Sequence, residues 1–430
     1  MGRGRILIYV FLFFLATINY VDRVALSVSA SSIAKEFDID TVELGYLFSS
    51  FLWLYVVCLV PMGMIVDRFG TRAVNAGGMA LWSTATILTG LAGGFASLIA
   101  SRIAMGVGEA TTYPAGGRVI REWVPLKERA LATSIFNSGA YFGPAIGGLV
   151  LAWLVQAAGW RMAFYVCGAV GFVWLAAWLV YYHLPEQAKW LDEDERRMIL
   201  AERDMAPKAA AKDATSMGVL KLLSQSSMLG LMLAQGCAVY TQYLFLTWLP
   251  NYLQTERGLT MLTSGFLMAL PYLGAVVLTM LLGKLSDSLL TAETAKSGRR
   301  RIVVAVILLL SSVILLTPLI ANVYVILFLI MIALTGVSGA VALNIALLND
   351  LLRSAADIGR ATGLLILGGN IFGLLAPVVT GYVIKASGSF NYAFVIAGLL
   401  LVLGALAALF LTRRAIGPEP RLAVQPAASF

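Results

Sequence analysis

Charge is scarce in this sequence. Only 13% of its 430 residues are Asp, Glu, Lys or Arg, against 60% hydrophobic residues, and mean hydropathy is +0.85. Soluble domains carry about 25% charged residues, so the composition excludes one and implies a polytopic membrane protein. Histidine is nearly missing: the one residue, His183, ends an apolar run, and a lone imidazole excludes a histidine-cluster metal site. Cysteine is equally rare. Cys58, Cys167 and Cys237 fall inside apolar runs and read as small buried hydrophobes, not as a disulfide framework. There is no G-x-x-x-x-G-K-[ST] run and no soluble domain to hold one, which excludes a nucleotide-driven pump. No N-x-[ST] sequon occurs, in keeping with a bacterial inner membrane. The net charge of +8 is spread through short loops, unlike a nucleic-acid footprint.

What is present is twelve apolar runs, near 6–29, 43–66, 74–94, 97–117, 131–155, 162–183, 226–253, 262–285, 302–320, 323–348, 361–384 and 391–412. Each approaches the roughly 20 residues a helix needs to cross about 30 Å of hydrocarbon. The first is too long for a signal h-region and has no clear cleavage site, so it is expected to be retained. A polar segment, 185–222, separates the sixth run from the seventh; its Asp192-Glu-Asp-Glu-Arg-Arg197 stretch reads as a solvated helix or linker. Basic residues crowd the loops on the side of the N-terminus, whereas the other side has only Lys35, Arg161, Arg257 and Lys385. The positive-inside rule then places both termini and the long loop in the cytoplasm.

The halves echo each other. Gly63-Met-Ile-Val-Asp67 closes the second run and Gly283-Lys-Leu-Ser-Asp287 the eighth, while Ala163-Phe164 with Gly168 returns as Ala393-Phe394 with Gly398, at an offset of 230. The expected fold is an all-α membrane protein of twelve transmembrane helices in two pseudo-symmetric six-helix bundles. The bundles span 1–184 and 223–414, with a cytoplasmic linker at 185–222 and a cytoplasmic tail at 415–430. Two such bundles around a central cavity are a transporter layout, working by rocking of the halves.

Four charged residues lie deep in spans: Asp22 and Arg23 in the first run, Arg102 and Glu109 in the fourth. Each costs at least about 2.5 kcal/mol at that depth, and such residues mark a path for ions or substrate. Arg102 and Glu109 are two helical turns apart, about 10 Å, too far to pair along the helix. Each therefore needs a partner from elsewhere, and Asp22 and Arg23 are the obvious supply. A buried acid tends to hold its proton unless an Arg keeps it ionised. An anion that draws the Arg away would convert binding into protonation. The bland alternative is a set of static interhelical salt bridges.

Gly63-x-x-x-Asp67-Arg68-x-Gly70-x-Arg72 resembles the loop motif of the major facilitator superfamily, with Thr71 where a basic residue is usual. The resemblance implies a gating role for Asp67 and Arg68, echoed by Asp287; the alternative is a tight turn with ordinary juxtamembrane charge. Tyr20-Val-Asp22-Arg23, Arg102-x6-Glu109, Phe136-Asn-Ser138 and Leu246-Thr-Trp248-Leu-Pro250-Asn-Tyr252-Leu look like the anion:cation symporter family within it. That family includes bacterial galactonate, glucarate and hexuronate transporters and, more distantly, sialin and the vesicular glutamate transporters. The resemblance implies Asp22 and Glu109 as proton carriers, Arg23 as ligand of the substrate carboxylate, and Arg102 as partner of Glu109. It also implies Tyr20 and Tyr55 as hydroxyl donors and Gln235 as a polar substrate contact. Tyr243 and Trp248 read as packing. Where sugar-acid members tend to carry Gln, Trp and Asn, this chain has Ala140, Ile345 and Ile366, although Asn344 and Asn370 restore some polarity. The tail end of the site is thus expected to be greasier, suited to an acid with fewer hydroxyls, aromatic or dicarboxylic.

The function these expectations support is proton-coupled uptake of an organic carboxylate by a monomer, with no cofactor or metal and no nucleic-acid partner. An exchanger or proton-driven exporter is the rival within transport. A membrane-embedded enzyme is the remote one, since no nucleophile–base pair is evident.

Overall fold

The structure, a computed structural model, describes residues 3–205, 217–289, 299–354 and 357–417. Among these the chain forms α1 (Arg3–Phe37), α2 (Thr41–Phe69), α3 (Thr71–Gly90), α4 (Phe95–Glu109), α5 (Thr112–Trp123), α6 (Arg129–Ala158), α7 (Trp160–Tyr181) and α8 (Glu193–Met205). There follow α9 (Val219–Leu223), α10 (Ser226–Thr255), α11 (Met261–Leu289), α12 (Arg299–Ser311), α13 (Val323–Leu351), α14 (Ile358–Ser387) and α15 (Asn391–Leu411). Ten helical segments among the described residues are long and apolar enough to cross a bilayer, α12 continuing as a 3-10 turn over Ser312–Leu319. The other two of the expected twelve crossings are α3, a 20-residue helix carrying Asn75, Ser83, Thr84, Thr86 and Thr89, and the pair α4–α5, one crossing in two pieces.

Local chemistry sets the joints. Asp40 caps α2, accepting from the Val42 and Glu43 amides while the Glu43 carboxylate accepts from the Asp40 amide. Gly159 precedes α7 at φ +83° and Gly388 ends α14 at φ +69°, backbone conformations that favour glycine. The repeat seen in the sequence is a packing repeat. Ala163 and Phe164 are buried, with Gly168 against Ser83 and Ile87; Ala393 and Phe394 are buried, with Gly398 against Ile314 and Leu315.

Helices α1 to α7 pack on one another, as do α10 to α15, and the two groups meet through α1 on α10, α2 on α14, and α6 on α11. The seam is tight. A Cβ on Gly265 would lie 2.3 Å from the Gly148 carbonyl oxygen, and one on Gly381 2.4 Å from that of Thr41. Arg23 donates to Tyr243, Ser27 to the Thr247 carbonyl at 2.6 Å, Asn251 to Ser31 at 3.3 Å and Thr41 to the Gly381 carbonyl at 3.2 Å. Lys385 binds Asp40 at 2.7 Å, and the Tyr46 and Tyr382 hydroxyls meet at 3.2 Å. Among the described residues these inter-half bonds run from mid-bundle to the end away from the chain termini. The Lys385 ammonium, helped by the α2 amides, holds the Asp40 carboxyl below its ordinary range.

The polar segment is less of a free linker than its composition suggests. Glu195 on α8 is buried and accepts from the Gly4 and Arg5 amides, each at 3.2 Å, and from Arg5 Nε at 2.9 Å. It thereby satisfies the first N–H groups of α1 and complements its dipole. Trp190 stacks on Trp123, and Met217 donates its amide to Asp357 in the other half. The tail likewise begins anchored, with Ile416 buried and bonded to the Leu351 carbonyl at 2.8 Å.

Candidate functional site

Asp22 and Arg23 are neighbours in sequence but about 100° apart around α1, and they face different surroundings. Arg23 turns to the seam between the halves. Its Nε donates to Glu109 Oε2 at 2.9 Å, Nη2 lies 2.8 Å from the same oxygen, and Nη1 donates to the Tyr243 hydroxyl at 3.0 Å. Asp22 turns into the first half, with Trp82 of α3 and Cys167 of α7 beside it and Glu109 and Arg102 as its charged neighbours. Neither of its carboxylate oxygens accepts a hydrogen bond among the described residues.

Glu109 and Arg23 form a buried ion pair between α4 and α1. Both side chains are almost fully buried, so removing either partner would strand a charge at a cost of about 3–5 kcal/mol. Arg102 does not pair with Glu109, as the resemblance implied. Its guanidinium stays near both acids but bonds Met105 Sδ at 3.0 Å. The reason is reach: both residues sit on α4 two turns apart, so Arg23, arriving from α1, binds Oε2 while Oε1 accepts no hydrogen bond among the described residues.

The fourth run, expected to be one helix, breaks after Glu109. Ala110 and Thr111 separate α4 from α5, and Pro114 falls in the first turn of α5, where its missing N–H has no intrahelical acceptor to lose. Glu109 thus ends a helix at mid-bundle. Gly106 one turn earlier allows α2 to approach, since a Cβ there would meet the Phe51 carbonyl oxygen at 2.0 Å.

Aromatic rings enclose the guanidinium. The centre of the Arg23 group lies 4.7 Å from the Tyr20 ring, 4.8 Å from Phe51 and 5.3 Å from Tyr55, and Arg102 sits 5.3 Å from the same Phe51. Each such contact contributes about 0.5–2 kcal/mol, most where water is excluded. Tyr20 and Tyr55 therefore face Arg23 as rings. The Tyr20 hydroxyl is 3.5 Å from that of Tyr113. From the second half come Tyr243, stacked on Phe51, and Gln235, bonded to Asn344.

Sequence reasoning missed two of these. Phe51 gave no signal among many phenylalanines. Tyr243, read as packing, spends its hydroxyl on Arg23 and joins the halves; its position two α10 turns from Gln235 was the available clue. Trp248 does pack, against Phe48 and Phe390, with its Nε1 donating to the Pro377 carbonyl. The residues expected to gate lie elsewhere, at the end holding the termini. Asp67 pairs with Arg118 at 2.8 Å within its own half, and Arg68 is exposed. Thr71 donates to Glu122, which also receives Arg118 and Tyr182, so a hydroxyl takes the place of the usual basic side chain. The side chains over 283–289 lie outside the described residues, Asp287 among them. No group of three His, Cys, Asp or Glu side chains suited to a metal is found among the described residues.

The Major Facilitator Superfamily model matches residues 12–294 and 231–429. A probable galactarate/D-glucarate transporter of Bacillus subtilis is 31% identical over 428 residues, covering 97% of this chain and 93% of the relative. A D-galactonate transporter of Escherichia coli is 32% identical over 415 residues, covering 95% and 96%. Among solved structures, a bacterial homologue of the human lysosomal transporter Spinster, inward-facing and unoccupied, superposes with a TM-score of 0.72 at 17% identity, over 96% of this chain and 98% of that one. A D-xylose–proton symporter gives 0.71 at 15% identity, over 95% and 98%. At these identities the two structures speak for the fold alone.

Proposed function

Because the chain belongs to the major facilitator superfamily, a family of transporters and not of enzymes, we propose that it carries an organic carboxylate, in the first place a sugar acid, together with protons. The bonds at the end away from the termini support a form closed on that side; the positive-inside reading places the termini in the cytoplasm of a bacterial inner membrane. Alternation then requires the Asp40–Lys385 and Tyr46–Tyr382 contacts to part while the end carrying Asp67, Arg68 and Asp287 closes.

One observation carries the reading: a guanidinium bound to a buried acid at the seam of the halves. A substrate carboxylate competing for Arg23 would release Glu109, which, stranded in a dry site, takes up a proton. Asp22, held by no hydrogen bond and sharing Arg102 with Glu109 as neighbour, is the second proton carrier. Arg102 then compensates whichever acid is ionised. Tyr20 and Tyr55 keep the Arg23 group aimed, and Gln235 meets the substrate from the other side. The relatives' names favour a hexarate or hexonate, whereas Ala140, Ile345 and Ile366 favour an acid with fewer hydroxyls.

Uptake of D-glucarate into proteoliposomes under an inward proton gradient tests this. Accumulation that collapses with the gradient is expected. Equal exchange with and without it would replace symport by exchange, and uptake of none of a panel of sugar, aromatic and dicarboxylic acids would remove the carboxylate reading.

A further inference from the structure

Gln235 is buried on α10, eight residues before Tyr243 and so about 12 Å nearer the end that holds the termini. Its amide orientation follows from its neighbour. Asn344 of α13 places one amide atom 2.9 Å from the Leu231 carbonyl oxygen. A carbonyl only accepts, so that atom is Nδ2, a donor. The same Nδ2 lies 3.0 Å from Gln235, whose facing atom must then be the acceptor Oε1. Both choices of amide direction, ordinarily interchangeable, are settled by one backbone oxygen. Gln235 Nε2 is left with two N–H donors, makes no hydrogen bond among the described residues and is not among the sealed polar atoms. The stem cannot swing away toward α14, because that helix approaches at Gly369, where even a Cβ would come within 3.1 Å of Gln235 Cγ.

We infer that Asn344 is a positioning residue, fixing Gln235 so that its side chain turns N–H donors, and not its amide oxygen, toward the substrate. With Arg23 bound to Tyr243 and this amide two α10 turns nearer the termini, the site suits an acid bearing a second electron-rich oxygen, a carboxylate or carbonyl, at its far end. The inference rests on the carboxylate reading and adds the polarity of the distal contact.

Replacing Asn344 by Asp removes the donor. Gln235 then turns its NH2 to the new carboxylate and shows Oε1 to the substrate. In proteoliposomes with D-glucarate as probe, Asn344→Asp raises KM about tenfold with kcat retained. Gln235→Met does the same, and the double variant is no worse than Gln235→Met alone, since Asn344 has nothing left to orient. An undiminished KM penalty for Asn344→Asp in the Gln235→Met background, or no penalty in the native one, overturns the inference. Should Asn344→Asp not express, Asn344→Ala carries the comparison with a smaller rise. If the native protein takes up no acid at all, the carboxylate reading fails, and the orientation is still read in detergent from Tm. Gln235→Glu is then tolerated opposite the Asn344 N–H but lowers Tm sharply in the Asn344→Asp background; equal losses in both overturn it.

Discussion

At mid-bundle the two halves bring unlike chemistry to the seam where they meet. The first contributes charge: Arg23, Glu109, Arg102 and Asp22, within two helices and nearly sealed from solvent. The second contributes neutral groups, the hydroxyl of Tyr243 and the amides of Gln235 and Asn344. A buried charge must be compensated in every state of the protein, so acids and guanidiniums kept within one half can exchange partners without waiting for the halves to move. Neutral groups carry no such debt. In the proposed alternation they can bind and release as the seam opens, at about 1 kcal/mol per bond.

That contrast is most exposed to Arg23→Ala, which strands Glu109 and deletes the proposed anion ligand. Binding of D-glucarate, followed by isothermal titration, should weaken by at least about a hundredfold; retained affinity would move the anion site off the first half. Next in size is Glu109→Gln, which keeps the shape and removes the proposed proton carrier. Gradient-driven uptake should vanish while counterflow exchange persists, and loss of both together would make the pair a structural bridge. Tyr243→Phe, on the neutral side, should cost only about fivefold in affinity, so a loss as large as that of Arg23→Ala would erase the distinction between the halves. The smallest effect belongs to the contact at the far end. Asp40 titrates below its ordinary range, so the Lys385 contact is intact above about pH 4. It is lost as the pH falls through the depressed value. Thiol labelling of cysteines placed at that end should quicken only under such acidity, and a change near pH 7 would point to another group.

Much of this was legible in the residues. Arg23 and Glu109 stood out because lipid penalises charge, and the seven-residue spacing of Arg102 and Glu109 called for a partner from α1, without saying which acid Arg23 would meet; the family resemblance implied Arg102 for Glu109. Tyr243 was not legible: a tyrosine in an apolar run packs far more often than it bonds, and nothing local distinguishes the two. The break after Glu109 was hidden for a similar reason. Pro114 signals a disturbance, but whether the helix kinks, frays or restarts depends on what Gly106 and Thr111 meet on neighbouring helices. The anchoring of 185–205 was obscured because Glu195 sits in a run of charge, and only its proximity to the start of α1 separates it from its solvated neighbours.

Composition and periodicity, then, determined that the chain lies in a membrane, how often it crosses, and that the crossings repeat, because hydrocarbon tolerates few alternatives for a backbone that must satisfy its own hydrogen bonds. They also picked out the four charges. What tertiary packing decided was direction: that Asp22 looks into the first half while Arg23 looks across the seam, and that the ring of Phe51 lies beside both guanidiniums. A helical position fixes only an angle around its own axis, and what occupies that angle is set by another helix far away in the chain.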